Sequence, residues 1–160
     1  WDDRWEEFSV VAEQGVQLQN QLAALVDADT AAFNRIMDAY GLPKASEEQK
    51  SKRYQAIQDA TRHAIEIPMQ VARLSAQAMG IAQKMADVGN PNSITDAGVG
   101  AMAIRTGVKG ALLNARVNLA DLADEAYGDA IRMECQALWS SIEIAEANVL
   151  SRVDAVLSAE

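Results

Sequence analysis

"IRMECQALWSSIEIAEANV", residues 131–149, decides the fold class. Ile131, Cys135, Leu138, Ile142, Ala145 and Val149 recur at alternating steps of four and three. That spacing lines six apolar side chains along one stripe of an α-helix, as in a coiled-coil seam, whereas a half-buried strand alternates every second residue. Upstream, the same helical period runs through Leu18, Leu22, Leu25 or Val26, Phe33, Ile36 and Tyr40. No strand pattern competes anywhere.

Breaks divide the chain into four segments. Gly41-Leu42-Pro43-Lys44-Ala45-Ser46 is a helix stop followed by a new N-cap, Ser46, with Glu47 and Glu48 in the next turn. Gly89-Asn90-Pro91-Asn92-Ser93 is the second, and Ser93 with Asp96 has capping-box spacing. A softer break lies between Asp121 and Gly128. Pro68 lies inside the second segment and predicts a kink or break near Glu66, because proline removes a helical hydrogen bond. The expected fold is one domain over residues 1–160, all-α, an antiparallel bundle of four to six long helices with one kinked near Pro68.

Composition agrees. Of 160 residues, 49% are apolar but only 5% aromatic, which suits helices packed through small side chains. A formal net charge of -9 argues against nucleic-acid binding. The single cysteine, Cys135, excludes an internal disulfide, and with the lone His63 it leaves no expected metal site. No apolar run reaches the roughly 18 residues of a membrane span. The chain starts at Trp1 without methionine and shows no signal peptide, so it is expected to be a piece of a longer protein, with the cytoplasm as its compartment. A long seam beside a glycine-rich helix leads us to expect a homodimer or higher homo-oligomer. The alternative is that the helices satisfy one another.

Two acids fall within "LVDADTAAFNRIM", residues 25–37. Stepping from Leu22 through Val26 to Phe33, Ile36 and Tyr40 places Asp29 on the apolar seam. Asp27, about 200° round the helix, faces water. An inward carboxylate is costly unless paired, so Asp29 is expected to be either structural glue or a functional acid/base. In "SITDAGVGAMAIRTGVKGALLNARVNLADL", residues 93–122, one face carries Asp96, Gly100, Ala103, Gly107, Gly110, Asn114 and Asn118. The glycines predict close helix packing. Asp29, Asn90, Asp96, Asn114 and Asn118 could together line a site for a neutral heterocycle with paired donors and acceptors, such as a purine or pterin. The basic run Lys44, Lys50, Lys52, Arg53 and Arg62 is expected at the solvated surface.

Four blocks, residues 25–53, "AIEIPMQVA" (64–72), "GNPNSITDAGVGA" (89–101) and "GALLNARVNLADLADEAY" (110–127), resemble the cyclodeaminase domain of formiminotransferase-cyclodeaminase and the related methenyltetrahydrofolate cyclohydrolases. The resemblance runs through nearly the whole chain in order, except that the family's N-terminal helix and its Pro-Gly-Gly-Gly-Ser loop precede this start. It implies an all-α, dimer-forming domain that converts 5-formiminotetrahydrofolate to 5,10-methenyltetrahydrofolate with release of ammonia, in folate one-carbon and histidine-degradation metabolism. It also implies Asp29 as catalytic acid; in that reaction Asn90, Asp96, Asn114 and Asn118 are expected to position the pterin or support Asp29, and Lys44 and Arg53 to meet a glutamate tail. A reduced folate, with or without polyglutamate, is the implied substrate; no separate cofactor is implied, and a formiminotransferase is the implied fused or bound partner. Methenyltetrahydrofolate cyclohydrolase is the alternative reaction. A non-catalytic helical dimerisation module is the alternative from another class.

Overall fold

A computed structural model describes residues 2–159. It contains four long helices: α1 Trp5–Gly41, α2 Glu47–Val88, α3 Ile94–Asn118 and α4 Glu125–Leu157. No strand occurs among the described residues. Each of the three breaks between segments separates two helices.

The caps explain the boundaries. Ser46 Oγ accepts from the Gln49 N–H at 3.2 Å while the Gln49 side chain accepts from the Ser46 N–H, a reciprocal capping box. Asp124 caps α4 through the Tyr127 N–H at 3.0 Å. The expected Ser93–Asp96 box does not form. Ser93 ends a short 3-10 turn, Pro91–Ser93, at φ -110° and ψ 17°, and makes no side-chain cap bond. An N-cap hydroxyl reaches the first amides when its backbone is extended, which Ser93 is not. Asn90 caps the turn instead, accepting from the Asn92 N–H at 3.0 Å.

Short connections make successive helices antiparallel. Arg4 near the start of α1 reaches the Val88 carbonyl at the end of α2, and Arg53 early in α2 reaches the Tyr40 carbonyl at the end of α1. α2 is central and packs on all three other helices, whereas α1 packs chiefly on α2. The main core joins α2, α3 and α4 around Ile65, Met69, Val108 and Val149, each fully buried. The α4 seam lies in it: Ile131, Cys135, Ile142 and Val149 are buried, and Leu138 and Ala145 pack against it.

α2 continues through Pro68 without a break. Proline has no N–H, so the carbonyl four residues earlier, Ala64, loses its helical donor. Asn118 of α3 supplies one: its Nδ2 donates to the Ala64 oxygen at 3.1 Å and to its own Asn114 oxygen at 3.2 Å. Asn118→Ala is therefore expected to lower unfolding free energy by about 1–2 kcal/mol, because a part-buried carbonyl loses its only side-chain donor among the described residues. Urea titration measures it; unchanged stability would show that the bond contributes nothing net.

α2 and α4 are also tied by charge. The Arg73 guanidinium makes paired bonds to Glu134 at 2.6 and 2.8 Å and a third to Glu66 at 2.6 Å. Tyr127 donates its hydroxyl to Glu66 at 3.3 Å. Burial and then the Glu66 carboxylate push the Tyr127 phenol above its ordinary pKa. The bond from Arg73 holds the Glu134 carboxyl below its ordinary value, against an opposing effect of burial.

Candidate functional site

The α1–α2 contact runs through Leu25, Ala28, Ala32, Ile36 and Ala39, with Ala60 and Ala64 opposite. Small side chains bring the two helix axes close. This row is turned from the one expected. Asp29 is exposed, about 40° round the helix from Leu25, at the edge of the contact rather than inside it. Val26, Phe33 and Tyr40, expected on the seam, are 67%, 62% and 46% exposed. Asp27 faces solvent as expected.

The edge on which Asp29 stands is one lip of a groove of about 590 Å³. α1 gives Leu22, Leu25, Val26, Asp29 and Thr30; α2 gives the floor, Pro68, Val71 and Ser75; α3 gives the other lip, Gly107, Gly110, Ala111 and Asn114. The Thr30 hydroxyl is bonded to the Val26 carbonyl at 3.3 Å. Asp29 and Ser75 have no hydrogen-bond partner among the described residues, and Ser75 is one of only two buried polar residues there. The groove thus offers a carboxylate, a hydroxyl and an amide on an apolar lining.

The α3 glycines open this wall rather than packing a neighbour. A Cβ on Gly110 would meet nothing within 4 Å, and one on Gly107 only Ser75 Oγ at 3.9 Å. Tight packing falls on Gly98, where a Cβ would approach Val153 at 3.1 Å. A flat molecule can therefore lie against the Gly107–Gly110 backbone.

The remaining candidates do not converge here. Asn90 and Asp96 line a neighbouring groove of about 620 Å³ between α1, α2 and the start of α3, which meets the first at Leu22. Asp96 and Asn114 are separated by about 27 Å of helix rise, too far to grip one ring system. Asn118, expected at the substrate, turns its amide nitrogen to the α2 backbone instead. Lys44 lies in the α1–α2 turn and Arg53 early in α2, where it holds the Tyr40 carbonyl at 3.2 Å. The basic run is largely surface, with Lys50 paired to Glu47 and Lys52 to Glu48. Ser75 is the groove residue that sequence reasoning missed; helical phase from Ala72 and Met79 marks it as inward.

Residues 1–137 match the formiminotransferase-cyclodeaminase family. The chain belongs to that family. It is 34% identical to a methenyltetrahydrofolate cyclohydrolase of Methylorubrum extorquens over 88% of this chain and 65% of that protein. It is 36% identical to the formimidoyltransferase-cyclodeaminase of Sus scrofa over 84% of this chain but 25% of that protein. The fold matches the crystal structure of formiminotetrahydrofolate cyclodeaminase from Thermotoga maritima with a TM-score of 0.83, at 24% identity, over 98% of this chain and 74% of that one. This chain thus spans part of each relative, and the relatives carry two different named activities.

Proposed function

We propose that the chain is a cyclodeaminase acting on 5-formiminotetrahydrofolate, forming 5,10-methenyltetrahydrofolate and ammonia. The observation that carries this reading is the α1–α3 groove, in which Asp29 is the one carboxylate beside Ser75, Asn114 and a bare glycine wall. The pterin lies flat against Gly107 and Gly110, its edge bonded by Ser75 and Asn114. Folate N10 attacks the formimino carbon, the new C–N bond forms, and the bond to the departing nitrogen breaks as ammonia leaves. Holding N10 and that carbon in attack geometry is the larger part of the work. The formimino nitrogen enters protonated, as an amidinium; Asp29 takes the proton from N10 and returns it to that nitrogen, which leaves as ammonia while the methenyl product keeps the positive charge. Lys44 and Arg53, at the α1–α2 end, remain candidates for a glutamate tail, and a formiminotransferase for a fused or bound partner.

The outer surface supports a second element of the proposal, a homodimer. Val26 and Phe33 on one lip, and Leu113 and Val117 beyond the other, are 67%, 62%, 53% and 67% exposed. A second copy over the groove would bury these rows and exclude water from the reacting atoms. A cytoplasmic setting in histidine degradation belongs to the same proposal; no helix among the described residues is long and apolar enough to cross a membrane.

Hydrolysis of the methenyl compound is the second reading, favoured by the 34% identity to a cyclohydrolase. Water would add to the same carbon beside the same acid. Purified full-length protein offered each folate in turn separates the two. Ammonia release from the formimino compound is expected, with sedimentation at dimer mass. Consumption of methenyltetrahydrofolate without any ammonia release from the other substrate would replace this proposal with the cyclohydrolase.

A further inference from the structure

Round α3 from the groove, α3 and α4 enclose a separate hollow of about 550 Å³. Leu112, Leu119 and Cys135 lie buried in its lining, and Trp139 stands half-buried beside them. Lys109, Arg116 and Arg132 also line it, and no aspartate or glutamate does. This runs against the whole chain, in which 23 acids face 14 lysines and arginines.

The three cations are not equally free. Arg132 is paired with Asp129 at 2.7 Å. Lys109 stands 3.8 Å from the Trp139 ring centre, and among the described residues it has no acidic partner. Arg116 has neither a hydrogen bond nor an ion pair there. Neighbouring Arg105, also over Trp139, is by contrast paired with Glu146 at 3.0 Å. Lys109 and Arg116 are two turns apart on one face of α3, about 10 Å along the axis. Two cations at that spacing without acidic partners, Arg116 and the Lys109 that rests on Trp139, over an apolar floor suit a molecule with rings as well as an acid group. A small inorganic ion would leave the floor uncovered.

We propose that the α3–α4 hollow is a binding site for an aromatic organic anion. Its rings lie against Leu112, Leu119 and Trp139, and its acid group is held by Arg116 and Lys109. The site is independent of the reaction assigned to the groove, because Asp29, Ser75 and Asn114 do not line it.

Two fluorescent probes with the same ring skeleton test this on the full chain: 8-anilinonaphthalene-1-sulfonate, an anion, and N-phenyl-1-naphthylamine, its neutral counterpart. The sulfonate is expected to saturate a site whose affinity falls at least tenfold in Arg116→Glu and in Lys109→Glu, and falls with added salt. Neutral-probe affinity should stay within twofold in both variants, and Lys52→Glu should change neither probe. Helical circular dichroism checks that each variant is folded; Arg116 is exposed, so its reversal disturbs no core contact. Sulfonate affinity unchanged in both reversals, or lost in step with that of the neutral probe, would overturn the proposal.

Discussion

Asp29→Asn is expected to lower turnover of the formimino substrate by about 10²–10⁴-fold, the usual contribution of a positioned proton carrier. Helical content and thermal midpoint should stay close to wild type. The two expectations have one origin. Asp29 is exposed and accepts no hydrogen bond among the described residues, so the folded chain loses nothing when its carboxylate becomes an amide. The amide keeps the shape but cannot take a proton from N10 and hand it on. KM should therefore move much less than kcat. Asp27→Asn is the matched control: it lies two residues away, also exposed, but outside the groove lining. Steady-state ammonia release from the full-length protein reads both variants. Wild-type turnover in Asp29→Asn would remove the catalytic assignment, and equal losses in both would show a general effect of surface charge.

What the sequence made legible was local. The Gly41 and Gly89 breaks and the Ser46 capping box fall at the observed helix ends, so the α1–α2 and α2–α3 boundaries were legible, although neither glycine takes the left-handed conformation of a glycine C-cap. The α4 seam was legible because its partners all lie on one side and its large residues are the buried ones. α1 reverses that relation. Its buried row is alanine-rich, and its large residues Val26, Phe33 and Met37 lie outside, so a phase set by side-chain size turns Asp29 inward. Hydrophobic periodicity shows that a face is apolar, not which surface covers it. The wrong phase still brought Asp29 forward as a candidate, because the row it shares borders the groove.

Other misses needed the third dimension. Asn118 reads as a polar residue in search of a ligand until the missing N–H of Pro68, fifty residues away in the chain, gives its amide a partner in Ala64. Asn90, Asp96 and Asn114 share a helical period or a loop with the groove, yet the length of α3 keeps them in separate depressions. Arg73 gave no sequence signal at all, since its acids come from two turns earlier on α2 and from another helix.

That arginine carries the second large expectation. Arg73→Met should destabilise the fold by about 1–3 kcal/mol near neutral pH, the lower part being favoured because all three side chains are about one-third exposed and water screens the pairs. The methionine keeps most of the apolar stem, so the loss reports the guanidinium. Its pH dependence identifies the cause. Arg73 holds the Glu134 carboxyl below its ordinary pKa in the folded chain, so unfolding takes up protons in the carboxylate range. The stabilisation is therefore complete above that range and disappears as pH falls through the depressed folded value. In Arg73→Met, Glu66 and Glu134 are left facing one another at neutral pH, and acid relieves them. The gap between wild type and variant should narrow between about pH 7 and about pH 3 in parallel urea titrations. Adding Glu134→Gln to Arg73→Met should recover part of the loss at neutral pH by removing one unpaired charge. A gap of constant size across that range, unmoved by the second substitution, would assign the effect to packing of the arginine stem and not to its charge.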